Sequence, residues 1–147
     1  MMLHGLPSPI RDLDSEAFWV GCDAGQLLLQ RCQQCESFRW PPGPLCPRCG
    51  STESRWIPAV GTGRVYSWVV VRVPLLPNLS DQLPYAVGLV ELCEGVRVVS
   101  TISNCDVDQI AAGMDVSCAF GEAAGGQRLF TFVPLSTETP TSEEMSK

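Results

Sequence analysis

A chain of 147 residues with 45% hydrophobic residues holds enough apolar side chain for one ordinary core, plus a small satellite only if metal or disulfides reinforce it. Its net charge of -6 argues against avid nonspecific attraction to nucleic acid or anionic lipid, although a local basic patch stays open. The start, MMLHGLPSPIRDLDSEAF, lacks the basic segment, apolar run and small-residue cleavage site of a secretory signal. No stretch reaches membrane-spanning length, so a soluble, cytoplasmic protein is expected.

Residues 1–30 read as an N-terminal helical segment followed by a strand leading into a cysteine pair. Pro7 and Pro9 oppose a helix at the very start. DSEAFWVGCDAG then offers an N-cap at Asp14, an acidic first turn and a glycine stop, predicting a helix over about 14–24. Neighbouring helical residues lie about 100° apart, so Phe18 and Trp19 cannot share one narrow stripe. One of them meets either another part of the chain or a partner subunit.

GQLLLQRC reads as a strand running into residues 31–57, where Cys32, Cys35, Cys46 and Cys49 form two C-x-x-C pairs. Such a segment is too small to own a core, and four thiolates suit a tetrahedral zinc ion, with iron as the competing metal. Gly50 follows the second pair, where a left-handed backbone is useful. Glu36 holds the corresponding place after the first, a less favourable choice. Four sulfur ligands leave no coordination position for substrate, so the metal is expected to be structural, one ion per chain. In comparable peptides zinc contributes ~10 to 16 kcal/mol to folding.

Arg31, Arg39, Arg48, Arg55, Arg64 and Arg72 face only Glu36 and Glu53 in this part of the chain, a surplus of four positive charges. Four thiolates around a divalent ion reduce that surplus to two. The arginines either solvate the small knuckle or grip a phosphorylated ligand in two-bond forks.

Residues 58–135 turn to β patterning after Pro58 and the GTG at 61–63. In RVYSWVVVRV (64–73), strict alternation puts Arg64, Tyr66, Trp68, Val70 and Arg72 on one face and Val65, Ser67, Val69, Val71 and Val73 on the other. The valine face is the expected core. The aromatic and guanidinium face either stacks a planar ligand or covers the sheet, and a bulge would shift the alternation. PLLPNLSDQLP (74–84) reads as a long proline-rich loop. YAVGLVEL and VRVVSTIS form an expected hairpin; DVDQIAAGM makes one helical turn, then DVSCAFGEA and QRLFTFVPL supply the last strands. Residues 136–147, STETPTSEEMSK, are expected to be a disordered acidic tail. The predicted fold is therefore mainly β: a short N-terminal helix, a zinc ribbon, then a five-stranded barrel of the OB type, with another five-stranded barrel as competitor.

Little else suggests chemistry. His4 is the only histidine and Lys147 the only lysine, which argues against a Cys-His pair. Cys22, Cys93, Cys105 and Cys118 read as small apolar fillers, and Asp106 with Asp108 as a turn or helix start. No catalytic residue is assigned.

In order, DSEAFW, LLLQRCQQCESFRWPPGPLCPRCGS, WIPAVGTGRVYSWVVV and LFTFVPL resemble the acyl-CoA-associated OB-fold proteins with a rubredoxin-like zinc ribbon, catalogued as domain of unknown function thirty-five. The resemblance runs from about residue 12 to 135. Members of that family accompany thiolase-superfamily proteins acting on acyl-CoA thioesters; some partner a lipid-transfer-protein-like thiolase working as an aldolase in steroid side-chain degradation, others an acyltransferase or acyl-CoA hydratase. The resemblance implies a noncatalytic subunit of a hetero-oligomer, with acyl-CoA as ligand of the whole complex. It places zinc on Cys32, Cys35, Cys46 and Cys49 and partner contact near Phe18 and Trp19; the face with Arg64, Tyr66, Trp68 and Arg72 is a candidate to meet acyl-CoA or, in a nucleic-acid module, to form the stacking platform. Glu36 departs from the family's frequent glycine. The residues leave two further classes open: a single-stranded nucleic-acid-binding module, disfavoured by charge and lysine content, and a stand-alone enzyme on CoA esters.

Overall fold

The computed structural model describes residues 2–135. The acidic tail expected at 136–147 lies outside the described residues.

The helix α1 spans Glu16–Asp23. It starts later than Asp14 would place it, with Ser15 at the N-cap, and Asp12 ties down the turn that leads into it. The Asp12 carboxylate accepts the Ser15 backbone N–H at 2.8 Å and the Ser15 hydroxyl at 2.7 Å, and the Asp12 carbonyl accepts the Glu16 N–H at 2.9 Å. At the other end Gly25 adopts φ +74, and its N–H reaches the Cys22 carbonyl at 3.0 Å while the Gln26 N–H reaches the Gly21 carbonyl at 2.8 Å. Those two bonds make a Schellman ending, which the glycine stop anticipated. Phe18 and Cys22, one turn apart, are fully buried.

Three short strands follow: β1 Leu28–Cys32, β2 Phe38–Arg39 and β3 Ser54–Pro58. They form an antiparallel sheet in the order β2-β1-β3, with Gln30 opposite both Arg39 and Trp56, and Arg31 opposite Phe38 and Arg55. The cysteine pairs sit in the turns at the end of this sheet.

The remaining strands are β4 Thr62–Val71, β5 Tyr85–Leu92, β6 Arg97–Ile102, β7 Asp115–Glu122 and β8 Arg128–Pro134. They close into a barrel in the order β4-β5-β6-β8-β7. Every pairing is antiparallel except β6 with β8, where Ile102 lies opposite Phe132. That crossing of the fifth strand beside the third is the Greek-key arrangement of an OB-type barrel. Val65, Ala86, Val90, Val98, Ile102, Val116 and Phe132 fill the inside, and Phe18, Cys22, Leu27 and Leu29 join the same cluster from α1 and its following strand. The helix thus plugs the barrel, and the two parts share one core.

Strict alternation along β4 fails. Val65 pairs with Val90 but the next ladder pair is Ser67 with Leu89, leaving Tyr66 as the extra residue of a bulge. Past that point the faces exchange. Val65 remains buried, yet Val69 and Val73 are 61% and 57% exposed, while Trp68 packs against the core. The valine face is core at Val65 only.

The proline-rich stretch after β4 is more ordered than a plain loop, because the 3-10 helix Pro77–Gln82 anchors it through buried Leu79. It meets a second 3-10 helix, Met2–Gly5, in the segment expected to be irregular. The helical turn expected near Asp106 is the 3-10 helix Val107–Gln109, where the Asp106 carboxylate caps the Asp108 N–H at 2.9 Å.

Candidate metal centre and the faces around it

Each C-x-x-C pair sits in a knuckle of the same design. The Glu36 N–H bonds the Cys32 carbonyl at 3.1 Å and the Cys32 N–H bonds the Ser37 carbonyl at 2.9 Å. In the second knuckle the Gly50 N–H bonds the Cys46 carbonyl at 2.8 Å and the Cys46 N–H bonds the Ser51 carbonyl at 2.9 Å. Both turns need a left-handed residue at the same place, supplied by Gly50 at φ 77 and by Glu36 at φ 61. Glu36 therefore keeps the geometry at a conformational cost that glycine avoids.

The two knuckles bring all four sulfurs within 4.8 Å of one another. Cys32 and Cys49 sulfurs lie 3.5 Å apart, and those of Cys35 and Cys46 3.6 Å apart. A tetrahedron with Zn–S bonds of about 2.3 Å has edges of about 3.8 Å. The spacing fits metal ligation and is far beyond the S–S bond of a disulfide, about 2.05 Å.

Electrostatics points the same way. Backbone N–H groups of Cys49 and Arg48 bring the Cys46 thiol down to about 5. The Cys35 N–H, with that of Gln34, lowers Cys32. The N–H that Ser51 directs at Cys49 lowers its thiol, but the Cys32 sulfur, burial and the sulfurs of Cys35 and Cys46 outweigh it and push the thiol up to about 11. The cluster resists a full set of negative charges until a cation neutralises it. Cys32, Cys35, Cys46 and Cys49 would hold one structural zinc ion, with every tetrahedral position taken by sulfur.

Behind the knuckles stands a side chain that charge patterning did not single out. Arg39 is buried; its Nε donates to Gln30 Oε1 at 2.9 Å and its Nη2 to the Gly43 carbonyl at 2.7 Å. Gln30 Oε1 also accepts the Gly43 N–H at 2.9 Å. The network ties β1 and β2 to the loop before the second knuckle. Sequence offered one faint signal, a glutamine between leucines and arginine in a strand.

The other cysteines are scattered. Cys22 lies in the core and Cys118 beside it, and burial pushes both thiols up to about 12. Cys93 departs from the apolar-filler expectation: it is exposed, its sulfur 3.2 Å from the Thr62 carbonyl.

The candidate contact residues separate. Phe18 is 1% exposed and packs edge-on against Trp40 at 4.7 Å, Trp19 at 4.9 Å and Phe130 at 5.5 Å. It is consumed by the chain's own core, so of the pair only Trp19 keeps open surface. Trp19 lines an apolar recess of about 250 Å³ with Leu3, Leu6, Val87, Val99 and Leu129. Because of the bulge, Arg64, Tyr66, Trp68 and Arg72 do not share one face. Arg64 pairs with Asp115 at 3.2 Å and Arg72 with Asp108 at 3.1 Å. Tyr66 is covered by the Arg97 guanidinium 3.9 Å from its ring centre, and Trp68 turns toward the core.

Comparison with known proteins places these features. Residues 19–55 match the family model described as the ChsH2 rubredoxin-like zinc ribbon domain, and residues 56–121 match that of the ChsH2 C-terminal OB-fold domain. The chain is 38% identical over 128 residues to a probable enoyl-CoA hydratase alpha subunit of Thermomonospora curvata, covering 87% of this chain and 40% of that protein. It is 33% identical over 112 residues to the 3-oxo-4,17-pregnadiene-20-carboxyl-CoA hydratase alpha subunit of Mycobacterium tuberculosis, covering 76% of this chain and 35% of the relative. The chain thus spans well under half of either hydratase subunit. A DUF35 domain-containing scaffold protein of Methanocaldococcus jannaschii is 34% identical over 95 residues, 64% of this chain and 67% of the relative. Among solved structures, a chain of the Ltp2-ChsH2(DUF35) aldolase superposes with a TM-score of 0.81 at 37% identity, covering 88% of this chain and 100% of that one. No helix among the described residues is long and apolar enough to cross a membrane. With its zinc ribbon joined to an OB-fold barrel, the chain belongs to the DUF35 family, in the arrangement of the ChsH2 domains.

Proposed function

We propose that this chain is the accessory, noncatalytic subunit of an acyl-CoA enzyme complex, formed with a thiolase-like protein that breaks or makes carbon-carbon bonds in CoA thioesters. Its role is to stabilise that partner and to complete the wall of the acyl-CoA channel, and a steroid side-chain aldolase is the specific assembly favoured. One observation carries the reading: similarity at 37% identity over the full length of a chain of the Ltp2-ChsH2(DUF35) aldolase. The metal cluster agrees with it, since four sulfur ligands leave the ion no position for substrate. Within this proposal Trp19 is the partner-facing half of the original pair, and Arg64, Tyr66 and Arg72 are the exposed acyl-CoA-facing candidates, while Trp68 supports the strand from inside. Co-expression with the thiolase-like protein of the same host tests the assignment. The two chains are expected to co-elute as one species; separate elution overturns it.

A second reading, the accessory part of an acyl-CoA hydratase, draws on the 38% identity to the Thermomonospora curvata subunit. Hydration of an enoyl-CoA by the co-purified complex, with no carbon-carbon cleavage, would select it. The nucleic-acid alternative is disfavoured by the net charge of -6 and by the bulge, which turns Trp68 toward the core and away from Tyr66.

A further inference from the structure

The ribbon carries two arginines, on neighbouring strands, that no carboxylate among the described residues pairs with. Among the described residues, ion pairs engage Arg11, Arg64, Arg72 and Arg97. None engages Arg31 or Arg55. Yet these two lie directly opposite each other on neighbouring antiparallel strands β1 and β3, where side chains leave the backbone about 5 Å apart and like charges repel. Neither arginine is matched by a carboxylate, so an anionic occupant could supply the missing charge to both.

Arg31 is also held ready. Its Nε donates to the Glu36 carbonyl at 2.9 Å, and its guanidinium lies over the Phe38 ring at 5.2 Å. With the Nε and one face of the group engaged, both Nη nitrogens remain for a two-bond fork, the form in which arginine grips carboxylates. The Glu36 carbonyl that fixes this orientation belongs to the left-handed turn of the first knuckle. The metal clasp thereby sets the direction of the fork.

The surroundings decide the class of occupant. Small-molecule sites are concave, but the recesses beside α1, the barrel and the N-terminal segment are lined by neither Arg31 nor Arg55. Two guanidinium groups on the open face of a small sheet suit a carboxylate-bearing protein surface. We infer that Arg31 and Arg55 form the electrostatic anchor by which the ribbon docks onto acidic side chains of the partner subunit. The inference rests on the accessory-subunit reading and adds the chemistry of the contact.

The test uses the complex reconstituted from the full chain and the thiolase-like subunit of its host. Arg31→Glu and Arg55→Glu should each weaken subunit affinity about tenfold, the double reversal more, and the double variant should lose most of the salt dependence of association. Thr52→Glu adds a negative charge at an exposed position elsewhere on the ribbon and should leave affinity unchanged. Zinc content and thermal unfolding show that each variant is folded; Arg31→Lys with Arg55→Lys, which keeps the charge, should recover part of the loss. Unchanged affinity of the double reversal in a complex that does form overturns the anchor and leaves the accessory-subunit reading standing. Normal subunit affinity with lost binding of CoA itself assigns the pair to phosphate and also overturns it. No complex with the wild-type chain overturns both.

Discussion

The ribbon and the barrel are neighbours in one chain held by different forces. The barrel closes on itself and surrounds a cluster of aliphatic and aromatic side chains, with Phe18 inserted from α1. Burial of such side chains contributes roughly 1.5 to 3 kcal/mol each. The ribbon has three short strands, two of its four sulfur ligands reach the surface or its margin, and polar groups such as Arg39 and Gln30 occupy its interior. Its cohesion depends on the metal. The contrast teaches that the cysteines, although the most conspicuous feature of the sequence, serve geometry: they fix a small sheet and orient what that sheet presents.

Metal removal should separate the two regions most sharply. A strong chelator, or Cys46→Ser, is expected to abolish protection of backbone amides in β1 to β3 and to shift the fluorescence of Trp40 and Trp56, while amides of β5 and β6 stay protected. Hydrogen exchange read by mass spectrometry checks this; simultaneous loss of both regions would break the distinction.

Phe18→Ala is the converse experiment. Removing a buried aromatic ring that touches Trp40 and Phe130 should cost about 3 to 5 kcal/mol in urea unfolding. The variant should still bind one zinc per chain if the ribbon's metal geometry is independent of the plug.

A milder effect is expected from the N-terminal clasp. Arg11 bonds Glu16 at 3.0 Å and Asp23 at 2.6 Å and also contacts Gln127, joining the N-terminal segment to α1 and to the β7–β8 turn. The Arg11 guanidinium lowers the Asp23 carboxyl, and the Ser15 hydroxyl lowers that of Asp12. A carboxyl depressed by folding contributes stability above its unfolded pKa, and that contribution is lost as pH falls through the folded value. Protection of the α1 amides, corrected for the intrinsic pH dependence of exchange, should therefore fall as pH drops below about 4. Arg11→Ala should remove part of that dependence without moving the barrel's thermal midpoint.

The smallest change is expected from Glu36→Gly. Relief of the left-handed strain, offset by the greater freedom of glycine in the unfolded chain, leaves a gain of about 1 kcal/mol or less. It should appear as a slightly higher chelator concentration for metal release and leave urea unfolding of the barrel unchanged.

These two regions also differ in how far the sequence revealed them. The metal clasp was legible because its ligands are close in sequence and ligand type limits the metal. The short helix, the glycine stop and the five-strand count of the barrel were legible from period and turn residues. Three features were not. Ladder closure decides the bulge at Tyr66, and with it the inward turn of Trp68, so strict alternation misassigned Val69 and Val73. Phe18 and Trp19 are adjacent and similar, and only the position of the barrel end selects Phe18 for the core. Arg39 counted as one more surface charge until Gln30 and Gly43 were brought together around it.

Whether this chain acts by completing a thiolase-like partner is read from carbon-carbon cleavage of a β-hydroxyacyl-CoA thioester. The rate would be measured for the partner alone, for this chain alone and for the two together at equal concentration. Turnover is expected from the pair, with little or none from the partner alone and none from this chain. Equal rates for the partner with and without the chain, or turnover by the isolated chain, would contradict it.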